Sequence, residues 1–423
     1  MLIHLPYGNG HIPYDCGGAR ILTSRVGGMG GGRPGLEIVR EAMERPIGAP
    51  PLSELGEGAA RATVIISDHT RPVPSREILP PMLEAMRLYN PGIQITLLVA
   101  TGFHRGTTRA ELLQKLGPDI LEREHVVVHD CEDAAQNVQI GILPSGAPLL
   151  IDRAAAETDL LVAEGFIEPH FFAGFSGGRK SVLPGVCDRV TVLGNHCSAF
   201  IDSPFARTGV LEGNPLHIDM LAAARLAKLR YIVNVVLDGG KNIVRAFAGD
   251  PAEAHNAGCE FLRQYCVVRA APADVVITTN GGAPLDQNIY QCVKGLTAAE
   301  ASANPGATLI VCAECADGAG GEAFYRSLRD CKSPAALYDE IMATPQKKTV
   351  QDQWESQILS RILKKHRVIF VSRPELESTV RDMKMEYAAT LAQALLMAKA
   401  QKDGSNVTVI PDGVSVIVEP RQF

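Results

Sequence analysis

One segment, 165–187, holds residues whose types and spacing could do chemistry. It contains a histidine, a turn of small residues and two adjacent cations: His170, Ser176, Gly177, Gly178, Arg179 and Lys180. Small residues let backbone N–H groups approach an anion, and cations beside them add charge. The spacing differs from that of a Walker loop. A lysine held here can bind a phosphate, or act as a nucleophile if its pKa is lowered. The alternative is a glycine-rich turn with solvated cations.

Three other segments place polar side chains just after apolar runs that are predicted to be strands. They are 67–74 with Asp68 and Arg71, 101–105 with His104, and 280–291 with Tyr290 and Gln291, which Lys294 follows; a further short segment, 194–197, contains His196. Ligand sites of open α/β sheets lie at the carboxyl ends of strands. Each histidine alone is more often structural than catalytic. Together these segments predict a pocket for an anionic small molecule and a phosphate-bearing group, with acid/base histidines and with or without a metal.

The same segments resemble the motifs of the lactate racemase family, whose members use a nickel-pincer nucleotide. The resemblance covers nearly the whole chain. It is carried, in order, by SDHTRPVP (67–74), TGFHRGTT (101–108), EPHFFAGFSGGRKSVLPG (168–185), NH (195–196), GNPLHIDM (213–220), GGAPLDQNIYQCVKGL (281–296) and QWESQILSRIL (353–363). No motif residue is missing.

The resemblance implies a role for each candidate residue. Lys180 matches the lysine that carries the cofactor covalently, and His196 matches the nickel ligand. Other residues match cofactor-binding positions: Ser176, Gly177, Gly178 and Arg179 around the phosphate, with Asp68 and Trp354 close by. His104 and His170 match the paired acid/base histidines. The positions near the substrate carboxylate are Arg71, Tyr290, Gln291 and Lys294.

The implied activity is that of a racemase or 2-epimerase of a 2-hydroxy acid. Hydride would pass to and from the cofactor, a nickel complex of pyridinium-3-thioamide-5-thiocarboxylic acid mononucleotide, through a 2-keto acid intermediate. Two histidines would move the hydroxyl proton, since imidazole titrates near neutral pH. The implied partners are a small-molecule substrate and the proteins that build the cofactor. The motif residues would contact the CH(OH)–COO⁻ unit that all 2-hydroxy acids share. They therefore do not distinguish among lactate, malate, aromatic, longer aliphatic and sugar acids as the substrate.

Two other functions are less consistent with the sequence. A nicotinamide dehydrogenase would need GxGxxG after its first strand, and none follows 63–67. A carrier of the nickel nucleotide or of a carboxylate, without turnover, would not need two histidines in separate segments.

The alternation of β-branched runs with helical patterns predicts an α/β fold. We expect two α/β domains with mainly parallel sheets and an active-site cleft between them. The N-terminal domain, 1–268, would carry the cofactor-attachment and acid/base motifs, and a smaller domain, 269–409, would add substrate-binding residues; the tail 410–423 could return to the first domain. The predicted strands are 63–67, 93–100, 125–129, 160–163, 231–237, 275–279, 308–312, 368–371 and 407–410. The predicted helices are 75–88, 109–116, 216–227, 251–264, 294–303, 333–342, 353–365 and 387–399.

Composition excludes several classes of protein. A net charge of −6 and a pI near 6.0 argue against a nucleic-acid or anionic-membrane surface. No signal-peptide pattern and no bilayer-length apolar run is present. Ten cysteines without framework spacing indicate reduced thiols in the cytoplasm. The CxxC at Cys312 and Cys315 fits a buried strand end better than a metal or redox site. No role is predicted for Cys187, for Cys197 or for the glycine-rich loop 27–35.

Overall fold

The computed structural model describes residues 1–30, 32–399 and 406–420. The strands in chain order are β1 (Leu2–Tyr7), β2 (Gly10–Asp15), β3 (Arg20–Ile21), β4 (Arg61–Ser67), β5 (Gln94–Ala100), β6 (His125–Val128), β7 (Asn137–Ile142), β8 (Pro148–Asp152), β9 (Leu160–Phe166), β10 (Pro169–His170), β11 (Gly174–Phe175), β12 (Leu229–Leu237), β13 (Ile243–Gly249), β14 (Val267–Arg269), β15 (Ala273–Thr279), β16 (Ala303–Cys312), β17 (Arg367–Val371), β18 (Glu386–Ala388), β19 (Val407–Ile410) and β20 (Ile417–Glu419). The α-helices are α1 (Gly35–Glu44), α2 (Leu52–Gly56), α3 (Ser75–Leu88), α4 (Arg109–Leu116), α5 (Pro118–Arg123), α6 (Arg153–Ala156), α7 (Arg189–Asn195), α8 (Ser198–Asp202), α9 (Pro215–Leu226), α10 (Glu253–Cys266), α11 (Ile289–Glu300), α12 (Glu322–Asp330), α13 (Pro334–Met342), α14 (Gln353–Lys365), α15 (Glu377–Asp382) and α16 (Leu391–Lys399).

The N-terminal domain is built on a six-stranded sheet of order β13-β12-β9-β4-β5-β6. All its neighbouring strands are parallel except β12 and β13. Every residue of the central strand β9 is buried, as expected for a parallel strand covered on both faces. The carboxyl ends of β4, β5 and β9 therefore meet at one edge, where the segments after these strands carry the candidate residues.

The C-terminal domain is built on a second six-stranded sheet, of order β18-β17-β16-β15-β19-β3, and all its pairs are parallel. The two sheets confirm the expected α/β class with mainly parallel strands. Its last strand, β3, comes from the N-terminus of the chain. The sequence boundary counted this segment with the first domain, but Leu5 packs in the same core as Val275 and Ile277. The sequence did not predict that this N-terminal segment joins the C-terminal domain, because its strands are short and show no helical pattern.

The tail contributes to two different sheets. Strand β19 pairs with β15 in the second six-stranded sheet, whereas β20 and β14 form a separate two-stranded sheet. Ile417 packs with Phe175, Phe247 and Leu262, which belong to the first domain. The last three residues of the tail, 421–423, lie outside the described residues.

The helix predicted at 387–399 was wrong at its start. Tyr387 and Ala388 belong to β18, where they pair with Phe370 and Val371 of β17. The helix begins only at Leu391, and the Thr390 hydroxyl accepts a hydrogen bond from the N–H of Gln393 at 3.1 Å. A buried edge position beside β17 outweighs the helix propensity of these alanine-rich residues.

The glycine-rich stretch 27–35, whose residue 31 lies outside the described residues, connects a short 3-10 turn at Val26–Gly28 to α1. Within the described ranges, no helix has the length and apolar character required to cross a membrane.

Candidate active site

The loops after β4 and β5 bring Asp68 and His104 into a hydrogen-bonded pair. Asp68 Oδ2 lies 2.7 Å from His104 Nδ1, and the Thr70 hydroxyl donates to Asp68 Oδ1 at 2.7 Å. Burial alone would raise the pKa of Asp68, but its hydrogen bond to His104 and the charges of His104 and Arg71 hold that pKa below its usual value. The ionised carboxylate accepts the Nδ1 proton, so His104 presents the lone pair of Nε2. This is the arrangement of a general base with an orienting carboxylate.

His170 is held differently, in the two-residue strand β10. Its Nδ1 accepts a hydrogen bond from the N–H of Ala173 at 3.2 Å, so the proton of the neutral ring lies on Nε2. The ring stacks on Phe171 at a centroid distance of 5.0 Å and meets Phe172 edge-on at 4.5 Å. Enclosure by protein lowers the pKa of His170 well below its usual value, and the charges of Lys180 and Lys294 lower it further. Both histidines therefore present Nε2 to the site, His104 with its lone pair and His170 with an N–H.

The turn before Lys180 requires glycine. Gly177 and Gly178 have φ angles of +81° and +55°. A Cβ atom on Gly177 would lie 2.7 Å from both the Asn234 Oδ1 and the Phe166 carbonyl oxygen. The Gly178 N–H donates to Asn234 Oδ1 at 2.7 Å, which fixes the turn to β12.

The amine of Lys180 lies in a cationic, partly enclosed recess. Its Nζ lies 5.8 Å from the centroid of the Phe172 ring. Burial lowers the pKa of Lys180 well below its usual value, and the charges of Arg179, Arg71 and Lys294 add to this effect. Such a lysine readily exists as the neutral, nucleophilic amine.

The side chain of Arg179 does not point into this recess. It is fully buried and donates to the carbonyl oxygens of Phe175, Gly177 and Ala173, and to His217 Nδ1. The guanidinium therefore stabilises the turn from the protein interior. The guanidinium donors are engaged within the protein, so a role of Arg179 at the phosphate stays a prediction and would act through the turn that it holds.

His196 keeps one ring nitrogen free of protein hydrogen bonds among the described residues. It lies at the end of α7, and its Nδ1 donates to the Val192 carbonyl oxygen at 3.1 Å, which leaves the Nε2 lone pair available. Burial lowers the pKa of His196 to about 3, with a further contribution from Lys180, so the ring stays neutral. Its ring meets Phe172 at 5.4 Å and Trp354 at 4.9 Å, measured between centroids. Among the described residues, no group of three or more His, Cys, Asp or Glu side chains could hold a metal.

The C-terminal domain contributes the first turns of α11 and α14. Helix α11 begins at Ile289, five residues before the predicted start at 294, because the Asn288 side chain caps it through the N–H of Gln291 at 3.0 Å. Trp354 Nε1 donates to the Tyr290 hydroxyl at 3.1 Å, which joins α14 to α11. Since Trp354 also contacts His196, the candidate residues of both domains meet in one site.

Lys294 adds a further cation to this site. Its Nζ donates to Gln291 Oε1 at 2.6 Å. Burial lowers the pKa of Lys294, and Arg71 adds to this, whereas Glu168 and Glu355 oppose it. In the described part of the chain, neither Arg71, Lys180 nor Lys294 forms an ion pair. The recess therefore attracts anions.

Comparison with known proteins matches both halves of the chain. Residues 21–209 match the model of the lactate racemase N-terminal domain, and residues 268–418 match that of the C-terminal domain. The chain is 50% identical over 423 residues to a lactate racemase from Thermoanaerobacterium thermosaccharolyticum, covering 99% of each chain. The chain belongs to the lactate racemase family. It is therefore an isomerase of the racemase class.

Other relatives of this family support the assignment. A lactate racemase from Lactiplantibacillus plantarum is 50% identical over 384 residues, which cover 90% of this chain and 91% of its own. The lactate racemase apoprotein structure from T. thermosaccharolyticum superposes with a TM-score of 0.96 at 49% identity, over the full length of both chains. A protein from Thermotoga maritima, with a TM-score of 0.65 and 19% identity over 91% of this chain and 98% of its own, shares the fold.

The sequence reasoning missed three polar residues that shape this lactate racemase-family site. Asn234 anchors the glycine turn. Glu164 Oε1 accepts from the hydroxyls of Ser67 and Ser75, the two ends of the loop that carries Asp68 and Arg71. Glu355 lies beside Trp354 with both oxygens unpartnered. The position of Glu355 within the motif QWES was an available signal, but Asn234 and Glu164 lie inside apolar strands that suggest only core packing.

The cysteines singled out in the sequence do not join the site chemistry. Burial raises the pKa of both Cys187 and Cys197, which favours the protonated thiols. Cys187 donates to the Val182 carbonyl oxygen at 3.1 Å. Cys312 and Cys315 are both buried, and the Cys315 sulfur lies 3.8 Å from that of Cys292.

Proposed function

We propose that this isomerase racemises lactate, by hydride transfer to and from a nickel-pincer nucleotide tethered to Lys180. The observation that carries the proposal is the recess with three basic side chains that form no ion pair within the described residues, flanked by the Asp68–His104 pair and by His170. Lactate is chosen over malate and larger 2-hydroxy acids because the two curated relatives named above are lactate racemases.

The residues of the recess fit such a cofactor. His196 offers one free imidazole nitrogen, and the described residues provide no three-ligand metal cluster. This suits a metal whose other donors come from an organic group. Lys180 offers an amine that burial keeps reactive, and the small residues of the glycine turn let a phosphate approach the backbone closely. We propose that Ser176, Gly177 and Gly178 approach the phosphate, that Arg179 holds their turn from behind, and that Trp354 forms one wall.

The bound cofactor would supply an acceptor for the hydride at C2 of the substrate. The protein supplies positioning and proton transfer. Arg71, Gln291 and Lys294 would hold the substrate carboxylate, with Tyr290 closing that side. His104 Nε2 would take the hydroxyl proton of one enantiomer. His170 would serve the other after its ring proton shifts from Nε2 to Nδ1, which gives up the bond from the Ala173 N–H. The aromatic side chains between the domains would exclude water from the reacting carbon.

Lactate deuterated at C2 tests this proposal directly. Protein co-produced with nickel and the cofactor-building proteins would be incubated with one enantiomer in ordinary water. Hydride transfer predicts racemised product that keeps its deuterium, together with a primary isotope effect on kcat. Exchange of the deuterium with solvent would contradict hydride transfer. Tight retention of cofactor without turnover of any 2-hydroxy acid would favour the carrier function instead.

Two further expectations accompany the proposal. Protein made without the cofactor-building partners should be inactive until it is loaded. We also propose a cytoplasmic location, because the spacing of the ten cysteines is not that of a disulfide framework.

A further inference from the structure

Glu355 is a buried acid in the candidate active site, and none of the roles proposed above involves it. It follows Trp354 in the first turn of α14, and its side chain is 1% exposed. Neither of its carboxyl oxygens has a hydrogen-bond partner within the described structure. Other buried acids of the chain accept hydrogen bonds, as Asp68 does from Thr70 and Glu124 does from Arg87. A buried carboxyl group without donors is costly to ionise.

The titratable groups that face Glu355 are few. They are Lys294 and Tyr290 on α11 and Asp352 at the start of its own helix. The charged side chains of α12 and α13 that form ion pairs, such as Arg326 with Glu322, do so at exposed positions. Lys294 lies close enough to interact electrostatically with Glu355 but donates its hydrogen bond to Gln291. The charge of the recess around Lys294 therefore depends on whether Glu355 carries a proton.

The balance of these effects favours the protonated acid at neutral pH. Burial raises the pKa of Glu355 to about 8; Lys294 lowers it, and Asp352 raises it. A bound carboxylate adds a negative charge beside Lys294, so it raises the pKa of Glu355 further. A group whose pKa rises on binding takes up a proton when the pH lies near or above its free value.

We propose that Glu355 is a positioning residue that must be a neutral carboxylic acid for the substrate carboxylate to bind. When ionised, it competes with that carboxylate for the ammonium of Lys294. When protonated, it leaves the ammonium free for the substrate. Binding of a 2-hydroxy acid is thereby coupled to proton uptake at Glu355. The inference rests on the proposed function in taking the ligand to be a 2-hydroxy carboxylate.

Calorimetry with 2-hydroxyisobutyrate tests the coupling without turnover, because this compound has a methyl group in place of the C2 hydrogen. Binding to the cofactor-loaded protein would be measured in two buffers of different ionisation enthalpy. With a pKa of about 8, about three quarters of the Glu355 side chains are ionised at about pH 8.5 and about one in a hundred at about pH 6. We expect uptake of more than about half a proton at the higher pH and almost none from Glu355 at the lower one.

Glu355→Gln isolates the residue, because it keeps the shape of the side chain and cannot ionise. Glu124→Gln is the matched control, because Glu124 is also buried but is bound to Arg87 and Arg123 beside the edge strand β6. Between about pH 7 and pH 9 we expect KM of the wild type to rise about tenfold more than KM of Glu355→Gln. The Glu124→Gln variant should show the same rise of KM as the wild type.

Two results would overturn the inference: an equal rise of KM in wild type and Glu355→Gln, or wild-type binding at about pH 8.5 without proton uptake. The second measurement needs no variant, so it decides even if Glu355→Gln does not fold. Proton uptake that depends on Glu355, in a protein that racemises no 2-hydroxy acid, would support the inference and refute the proposed function. Failure of 2-hydroxyisobutyrate to bind at about pH 6, where the recess is most positive, would overturn both.

Discussion

Replacing Asp68 by Asn would test the role of the Asp68–His104 pair. The change keeps the size of the side chain but removes the charge that accepts the Nδ1 proton at 2.7 Å. If the amide oxygen keeps the two bonds from Thr70, the amide nitrogen faces His104 Nδ1 and cannot accept its proton. A charge-assisted hydrogen bond of this kind contributes about 1.5–3 kcal/mol. If that energy is realised in the transition state, kcat/KM falls roughly 10- to 150-fold.

The assay is racemisation of each lactate enantiomer by loaded protein, with cofactor content measured in the same sample. Because the equilibrium constant of a racemisation is one, kcat/KM must fall equally in both directions, which provides an internal check. Asp152→Asn is the matched control. Asp152 Oδ2 makes a similar buried contact with His129 Nδ1, at 3.1 Å, but His129 also binds the Cys187 carbonyl oxygen and lies outside the site.

We expect Asp152→Asn to lower stability and to leave kcat/KM per loaded protein within about twofold. Asp68→Asn should lower kcat/KM by the larger factor. Folding of Asp68→Asn should also respond differently to acid. The depressed pKa of Asp68 stabilises the wild type above the unfolded pKa, and this contribution is lost as pH falls through the folded pKa. A loaded Asp68→Asn protein with unchanged kcat/KM would refute the orienting role of Asp68.

Three further changes test the cofactor end of the site. Gly177→Ala should lower the free energy of unfolding in urea by at least about 2 kcal/mol, because its Cβ would lie 2.7 Å from the Phe166 carbonyl oxygen. Gly146→Ala is the control, since Gly146 has a similar φ of +83° but open space around its Cβ, and it should lose less stability. Equal losses in the two variants would count against the tight turn. Trp354→Phe removes the hydrogen bond to Tyr290, worth about 0.5–1.5 kcal/mol, and should lower kcat/KM roughly 2- to 13-fold; an unchanged value would place Trp354 outside the site. His196→Ala should keep the adduct on Lys180 but hold less nickel per protein by elemental analysis, and full nickel occupancy would exclude His196 as its ligand.

The sequence predicted the edge of the sheet at which the candidate residues of the first domain lie, for a clear physical reason. His104 follows a β-branched, apolar run that forms a buried parallel strand, and parallel strands deliver their carboxyl ends to one edge. In the structure Tyr290 and Lys294 lie one helical turn apart on α11, whereas the predicted helix began only at 294.

Other features depend on the three-dimensional path of the chain. Arg179 and Lys180 are neighbours in sequence, yet the positive φ angles of the turn send one side chain into the core and the other into the recess. The pairing of β3 with β19 joins residues nearly four hundred positions apart, and no local pattern reports it. A glutamate in the first turn of a helix is ordinarily exposed. Glu355 is buried because α14 packs against α11, a contact that the local sequence does not predict.

Intact-mass measurement with peptide mapping tests the central claim most directly. The protein would be co-produced with nickel and the cofactor-building proteins, beside Lys180→Arg and the T. thermosaccharolyticum relative. We predict a nucleotide-sized adduct on the wild-type peptide that contains Lys180, and none on the Lys180→Arg protein. An unmodified Lys180 in the wild type, in a preparation where the relative is loaded, would contradict the tethered cofactor and with it the proposed route of racemisation.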